Sequence, residues 1–205
     1  MKRFLALMAA LLISSTALAS DTPPDALVKN VTAQVLETVR QDKEIQNGNS
    51  KKVLALVESE ILPHFNFQRM TQLAMGREGR QATADQMKVL VSEFRQLLVR
   101  TYSKALTEFR NQEIVFKPIR MAATDTDVKV RTEVRQSGGK PVPLDYYLEK
   151  GSAGWKVYDV EVGGVSLITN YRSTFGDEIR KNGVDGLIRS LQEKNKSTPA
   201  AGSAK

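Results

Sequence analysis

Cysteine is missing from all 205 residues of this chain, and there is one histidine and one tryptophan. Without cysteine there is no disulfide, thiolate nucleophile, thiolate metal site or lipidated cysteine anchor. His64, standing alone beside Pro63, excludes a multi-histidine metal site and most serine-histidine mechanisms. Long apolar runs are scarce too. The longest, Phe4 to Ile13, is too short to span a bilayer, which takes about 20 apolar residues.

That short run has another use. Lys2 and Arg3 precede it and Ala17-Leu18-Ala19 follows, the charged, apolar and small-x-small order of a secretory signal peptide. Residues 1–19 are therefore expected to be a cleaved leader, residues 20–194 one domain and residues 195–205 a disordered tail of small and polar residues. The formal net charge of +7 is partly carried by the leader's Lys2 and Arg3. In an exported protein the remaining basic residues suit anionic headgroups or acidic protein surfaces better than nucleic acid, and being scattered they equally serve solubility.

Apolar periodicity gives the layout. Leu27, Val31, Val35 and Val39 form a helical stripe in a first helix from about Asp25 to Gln46. Ser50 is a plausible cap for a second helix that Pro63 ends, and a short third one carries Phe67, Met70, Leu73 and Ala74. Thr83-Ala84-Asp85-Gln86 reads as a capping box opening the longest helix, whose apolar face runs through Phe94, Leu97, Leu98, Tyr102 and Leu106 to Phe109.

From Glu113 the period becomes two. Phe116 begins the sheet, Val128, Val130, Thr132 and Val134 alternate with charged residues, and turns at Gly138-Gly139 and Lys150 to Gly154 predict an antiparallel meander of about four strands. The strand at Trp155 to Val162 breaks the alternation: Trp155 and Val157 fall on one face, and Tyr158, Val160 and Val162 on the other. Ser166 then reads as the cap of a helix carrying Leu167, Ile168, Tyr171, Phe175 and Ile179, and a last helix follows Asn182-Gly183. Helices before and after a meander predict an α+β fold with helices packed on one sheet face.

Candidate chemistry is thin. Asp145, Glu149, Asp159 and Glu161 lie on strands, where polar residues ordinarily form the solvated side. Gly163-Gly164 lacks the context of a phosphate cradle and reads as a tight turn. What stands out is apolar surface: Phe65, Phe67, Met70, Leu73, Phe94, Leu97, Leu98, Tyr102, Phe116, Val130, Tyr146, Val157, Val165, Leu167, Ile168, Tyr171 and Phe175. Any one of them alone is most simply a core residue. As a set they predict a helix-roofed, sheet-floored cavity suited to acyl chains, each buried methylene being worth about 0.8 kcal/mol.

The block VPLDYYLEKGSAGWKVYDVEVGGVSLITNYRSTFGDEIRKNGVDGLIRSLQEKN, with ILPHFNFQRMTQLAMGREGRQATADQ and FRQLLVRTYSKAL upstream, resembles the MlaC or toluene-tolerance auxiliary family of periplasmic phospholipid-binding proteins. Asn66-Phe67 stands where the family commonly has Asp-Phe, and no tryptophan lies near Gly79-Arg80.

The resemblance implies a soluble, monomeric shuttle in a Gram-negative periplasm, with phospholipid as cargo and neither cofactor nor enzymatic activity. It implies a cone-like sheet related to nuclear transport factor folds. The implied partners are an inner-membrane ABC transporter with a substrate-binding ring and an outer-membrane lipoprotein and porin complex. Lys129, Arg131, Arg135, Arg172, Arg180 and Lys181 are the candidates for docking them. The alternatives are an isomerase or other small-ligand enzyme on the same cone, using Asp159, and a periplasmic chaperone.

Overall fold

The computed structural model describes residues 22–197. The expected leader and the end of the tail lie outside them. Helix α1, Pro24–Gln41, opens with proline in its first turn, where a missing N–H costs nothing, and with Asp25 facing the helix dipole. The single helix expected to reach Gln46 breaks at Asp42, whose carboxylate accepts the Glu44 and Ile45 N–H groups and so caps a separate α2, Lys43–Gln46. Asn49, not Ser50, caps α3, Ser50–Leu56. Beyond α3 the backbone widens into a π turn over Val57–Ile61 and tightens into a 3-10 turn over Leu62–His64.

Asn66 caps α4, Phe67–Met75, through the Arg69 N–H. The capping box of Thr83 and Gln86 is present and opens α5, Ala84–Tyr102. The long helix stops there, because Ser103 separates it from a short α6, Lys104–Glu108.

Among the described residues the sheet has five antiparallel strands in sequential order. They are β1 Glu113–Phe116, β2 Asp127–Arg135, β3 Val142–Gly151, β4 Gly154–Val162 and a two-residue β5, Val165–Ser166, which the sequence pattern does not reveal. The irregular alternation of β4 has a local cause. The register slips between Tyr147 and Leu148, so that Asp159 pairs with Tyr147 while Val157 pairs with Leu148 and Tyr158 is left over. This bulge reverses the phase of the strand and puts Trp155, Val157 and Val160 in one apolar cluster.

Ser166 accepts the Thr169 N–H at 2.9 Å and so starts a 3-10 turn, Thr169–Tyr171, rather than capping the helix directly. Helix α7, Arg172–Ser197, then kinks at Gly183, whose φ of 71° only glycine adopts comfortably. The first residues of the expected tail, 195–197, belong to the last turn of α7. Asn195 is buried inside α7, its amide donating to the Glu93 carbonyl at 2.9 Å and carboxylate at 2.8 Å.

Among the described residues the interior is divided into three apolar clusters. One joins α4, α5 and α7 around Phe94 and Phe175. A second joins the inner sheet face to Val28 of α1. The third ties α1 to α2 and α3 through Val35, Val39, Ile45 and Val53. Phe65 packs against both of the first two, and the space between the clusters is left unfilled.

Candidate lipid-binding cavity

Two chambers occupy that space. The larger, of about 450 Å³, lies between α1, α6 and the inner face of the sheet, with Leu27, Val31, Leu106, Phe109, Tyr146 and Val157 in its wall. The smaller, of about 180 Å³, lies beneath the π turn, α4 and the α5–α6 junction, and is lined by Val57, Phe67, Met70, Leu98, Leu167 and Ile168 among others. Ile61, Phe65 and Leu106 belong to both walls and form the partition. The larger volume falls within the roughly 300–1,000 Å³ typical of small-molecule sites.

Local structure explains the partition. Backbone pairing of Phe65 with Val157, and the Asn66 N–H on the Val157 carbonyl at 2.8 Å, stitch the chain before α4 to β4. The π turn, a feature that concentrates at functional sites, presents Val57 and Ile61 to the chambers. Arg69 holds α4 from the far side, with Asp127 at 3.1 Å and Glu149 at 2.5 Å and its guanidinium 3.6 Å from the centre of the Tyr158 ring.

Burial favours the neutral form of three polar groups in or near the walls. Burial pushes the Tyr146 phenol up to about 12, although its hydrogen bond with Thr32 opposes this, so the hydroxyl stays uncharged in the larger chamber. Burial likewise raises Tyr171, which is hydrogen-bonded to Tyr102. His64, also in the larger wall, is lowered first by burial and then by the Lys156 charge, with Glu60 opposing.

Neutral His64 thus carries a pH signature. Its folded pKa lies below the unfolded one of about 6.5, so as the solution is acidified the unfolded chain takes up the proton first. The stability it contributes is complete above about pH 6.5 and is lost as the pH falls through the window beneath. The thermal midpoint of lipid-free wild type should fall more steeply from pH 7 to pH 5, as estimated from that unfolded pKa of about 6.5, than that of His64→Gln. Parallel curves would show that His64 is not held neutral.

Of the residues the sequence singled out, the structure gathers Phe67, Met70, Leu98, Tyr102, Leu167 and Ile168 around the smaller chamber and Tyr146 and Val157 around the larger, with Phe65 in the partition between them. It places the others elsewhere. Phe94, Leu97 and Phe175 are buried in the helical cluster, with Leu73 and Tyr171 packed against it. Val130 is buried in the sheet cluster with Phe116 alongside. Val165 is 58% exposed on the edge strand. Sequence reasoning passed over α1 as a chamber wall; its stripe of Leu27, Val31 and Val35 was the available signal.

The docking candidates divide as well. Lys129 bridges Asp145 at 2.8 Å and Glu161 at 3.5 Å on the outer sheet face. Burial would lower its ammonium, but hydrogen bonds with Asp145 and Tyr147 outweigh that and raise it. Arg135 pairs with Glu133, Arg180 with Asp177 and Glu78, and Arg172 donates to the Leu73 carbonyl at 3.2 Å. Arg131 and Lys181 are exposed, and neither makes an ion pair among the described residues. No group of three or more potential metal ligands occurs among the described residues.

Asp159 is committed too. Its carboxylate accepts the Val160 N–H at 2.8 Å, the Ile168 N–H at 3.2 Å and the Ser166 hydroxyl at 2.5 Å, pinning β5 and the following turn to β4.

An α+β domain whose sheet and helices enclose chambers with mostly apolar walls has the architecture of proteins that hold apolar ligands. More specifically, a family model described as MlaC protein matches residues 29–193, and the chain belongs to the MlaC family. It is 24% identical over 189 residues to the intermembrane phospholipid transport system binding protein MlaC of Haemophilus influenzae, covering 91% of this chain and 88% of that protein. It is 28% identical over 168 residues to the toluene tolerance protein ttg2D of Pseudomonas putida, covering 82% and 77% respectively. The phospholipid-binding protein of Ralstonia solanacearum, solved in complex with a phospholipid, superposes with a TM-score of 0.79 at 44% identity, covering 85% of this chain and 97% of that one.

Proposed function

We propose that this protein is a phospholipid carrier of the Gram-negative periplasm, holding acyl chains in the two chambers while it moves between membrane complexes. The observation that carries the reading is the pair of adjoining apolar chambers, in a chain 44% identical to a protein solved with phospholipid. Removing tails from water supplies the binding energy without a cofactor or a reaction. An ABC transporter with a substrate-binding ring at the inner membrane, and a lipoprotein and porin complex at the outer membrane, are the two complexes between which it would move. Arg131 and Lys181, exposed and uncommitted among the described residues, are the docking cations this reading favours. Asp159 supports the isomerase alternative poorly, since three donors already occupy its carboxylate.

Untagged protein recovered from the periplasm should carry about one glycerophospholipid per chain, detected by extraction and mass spectrometry. A lipid-free preparation that also takes none from vesicles would overturn the reading.

A further inference from the structure

The smaller chamber contains a polar group that tail binding does not use. Ser103 stands in its wall between Val99 and Leu106, is 4% exposed, and its Oγ is buried without a hydrogen-bond partner. Serine ahead of a helix ordinarily caps it, but Ser103 continues the helical path, with φ −61° and ψ −26°, and from that conformation makes no cap to α6. The neighbouring Tyr102 is satisfied by Tyr171. A buried hydroxyl left unpaired is costly and calls for an explanation, and an absent ligand is one.

The surroundings fit a particular ligand atom. On one side of Ser103 lies the apolar chamber. Leu62 and Val99 are shared between this chamber and a polar groove lined by Ser92, Arg95, Gln96 and Arg100 of α5, with Glu58 opposite. The chamber thus offers an apolar wall and a hydroxyl, with a groove carrying Arg95 and Arg100 across the Leu62–Val99 seam. A glycerophospholipid carries the matching groups, tail, ester and phosphate. Serine has a single side-chain torsion with three staggered positions, so its hydroxyl needs only one rotamer change to meet a ligand in the chamber.

We propose that the Ser103 hydroxyl donates a hydrogen bond to an acyl ester carbonyl of the cargo, fixing how deeply the lipid sits and favouring ester-linked over ether-linked chains. This rests on the phospholipid-carrier reading, and the test separates the two. Lipid-stripped mature protein would be titrated with dihexadecanoyl phosphatidylglycerol and with its dihexadecyl ether analogue, by displacement of a fluorescent phospholipid. Wild type should prefer the diester by about fivefold, the equivalent of ~1 kcal/mol for one hydrogen bond. Ser103→Ala should bind the diester as weakly as wild type binds the diether, with its diether affinity unchanged. Equal wild-type affinities for the two lipids, as expected of a hydroxyl serving only a buried water, would overturn the ester contact and leave the carrier reading standing. So would an equal weakening of both lipids in Ser103→Ala. Failure of wild type to bind either lipid would overturn the carrier reading, and the ester contact with it.

Discussion

Phe94→Ala should lower the stability of the lipid-free protein by ~3–5 kcal/mol, the usual cost of removing a fully buried aromatic ring. Phe94 is completely buried, and the rings of Tyr171 and Phe175 meet it edge-on with centroids 5.0 Å away in each case. Those edge contacts add to the transfer energy, and the surrounding Leu90, Leu98 and Ile179 cannot all collapse into the void. Neither chamber has Phe94 in its wall, so protein that remains folded should keep most of its affinity for phospholipid. Urea unfolding and lipid titration of the same preparation would separate the two effects. A loss below about 1 kcal/mol accompanied by loss of lipid binding would move Phe94 from the core to the cargo surface.

That outcome depends on a distinction that periodicity does not draw. A helical stripe shows which residues face inward, and Phe94, Leu98 and Tyr102 share one stripe of α5. Whether an inward side chain meets another side chain or empty space depends on the partner element, which a local pattern does not identify. Phe94 meets α7, whereas Leu98, one turn on, lies at the edge of the smaller chamber. Strong local chemistry was legible: the Thr83–Gln86 capping box, the turns of the meander and the change of period at Glu113 all correspond to observed features. Features set by one residue were not. The break at Asp42 needs a side chain that turns back onto the next helix, and the β4 bulge shows in sequence only as a confused alternation. Ser103 is compatible with a continuous helix in sequence, yet there the chain divides α5 from α6.

Leu106→Asp should abolish most lipid occupancy while leaving the fold largely intact. Leu106 is half-buried, on the five-residue α6, and belongs to the partition between the two chambers. A carboxylate there confronts bound acyl chains from both sides. Unpaired charge in an apolar setting is strongly unfavourable, and even two methylenes denied their place would cost about 1.6 kcal/mol, more than a tenfold loss of affinity. In the empty protein the same carboxylate can be hydrated, because chambers of about 180 and 450 Å³ admit water that a packed core would exclude. The destabilisation should therefore stay under ~2 kcal/mol, well below that of Phe94→Ala. With the desolvation penalty of the carboxylate added to that loss, the variant should be recovered with most of the wild-type lipid missing and should melt cooperatively. If Leu106→Asp fails to fold, or retains its full complement of lipid, the partition is a packed seam and the chambers are not where the tails lie.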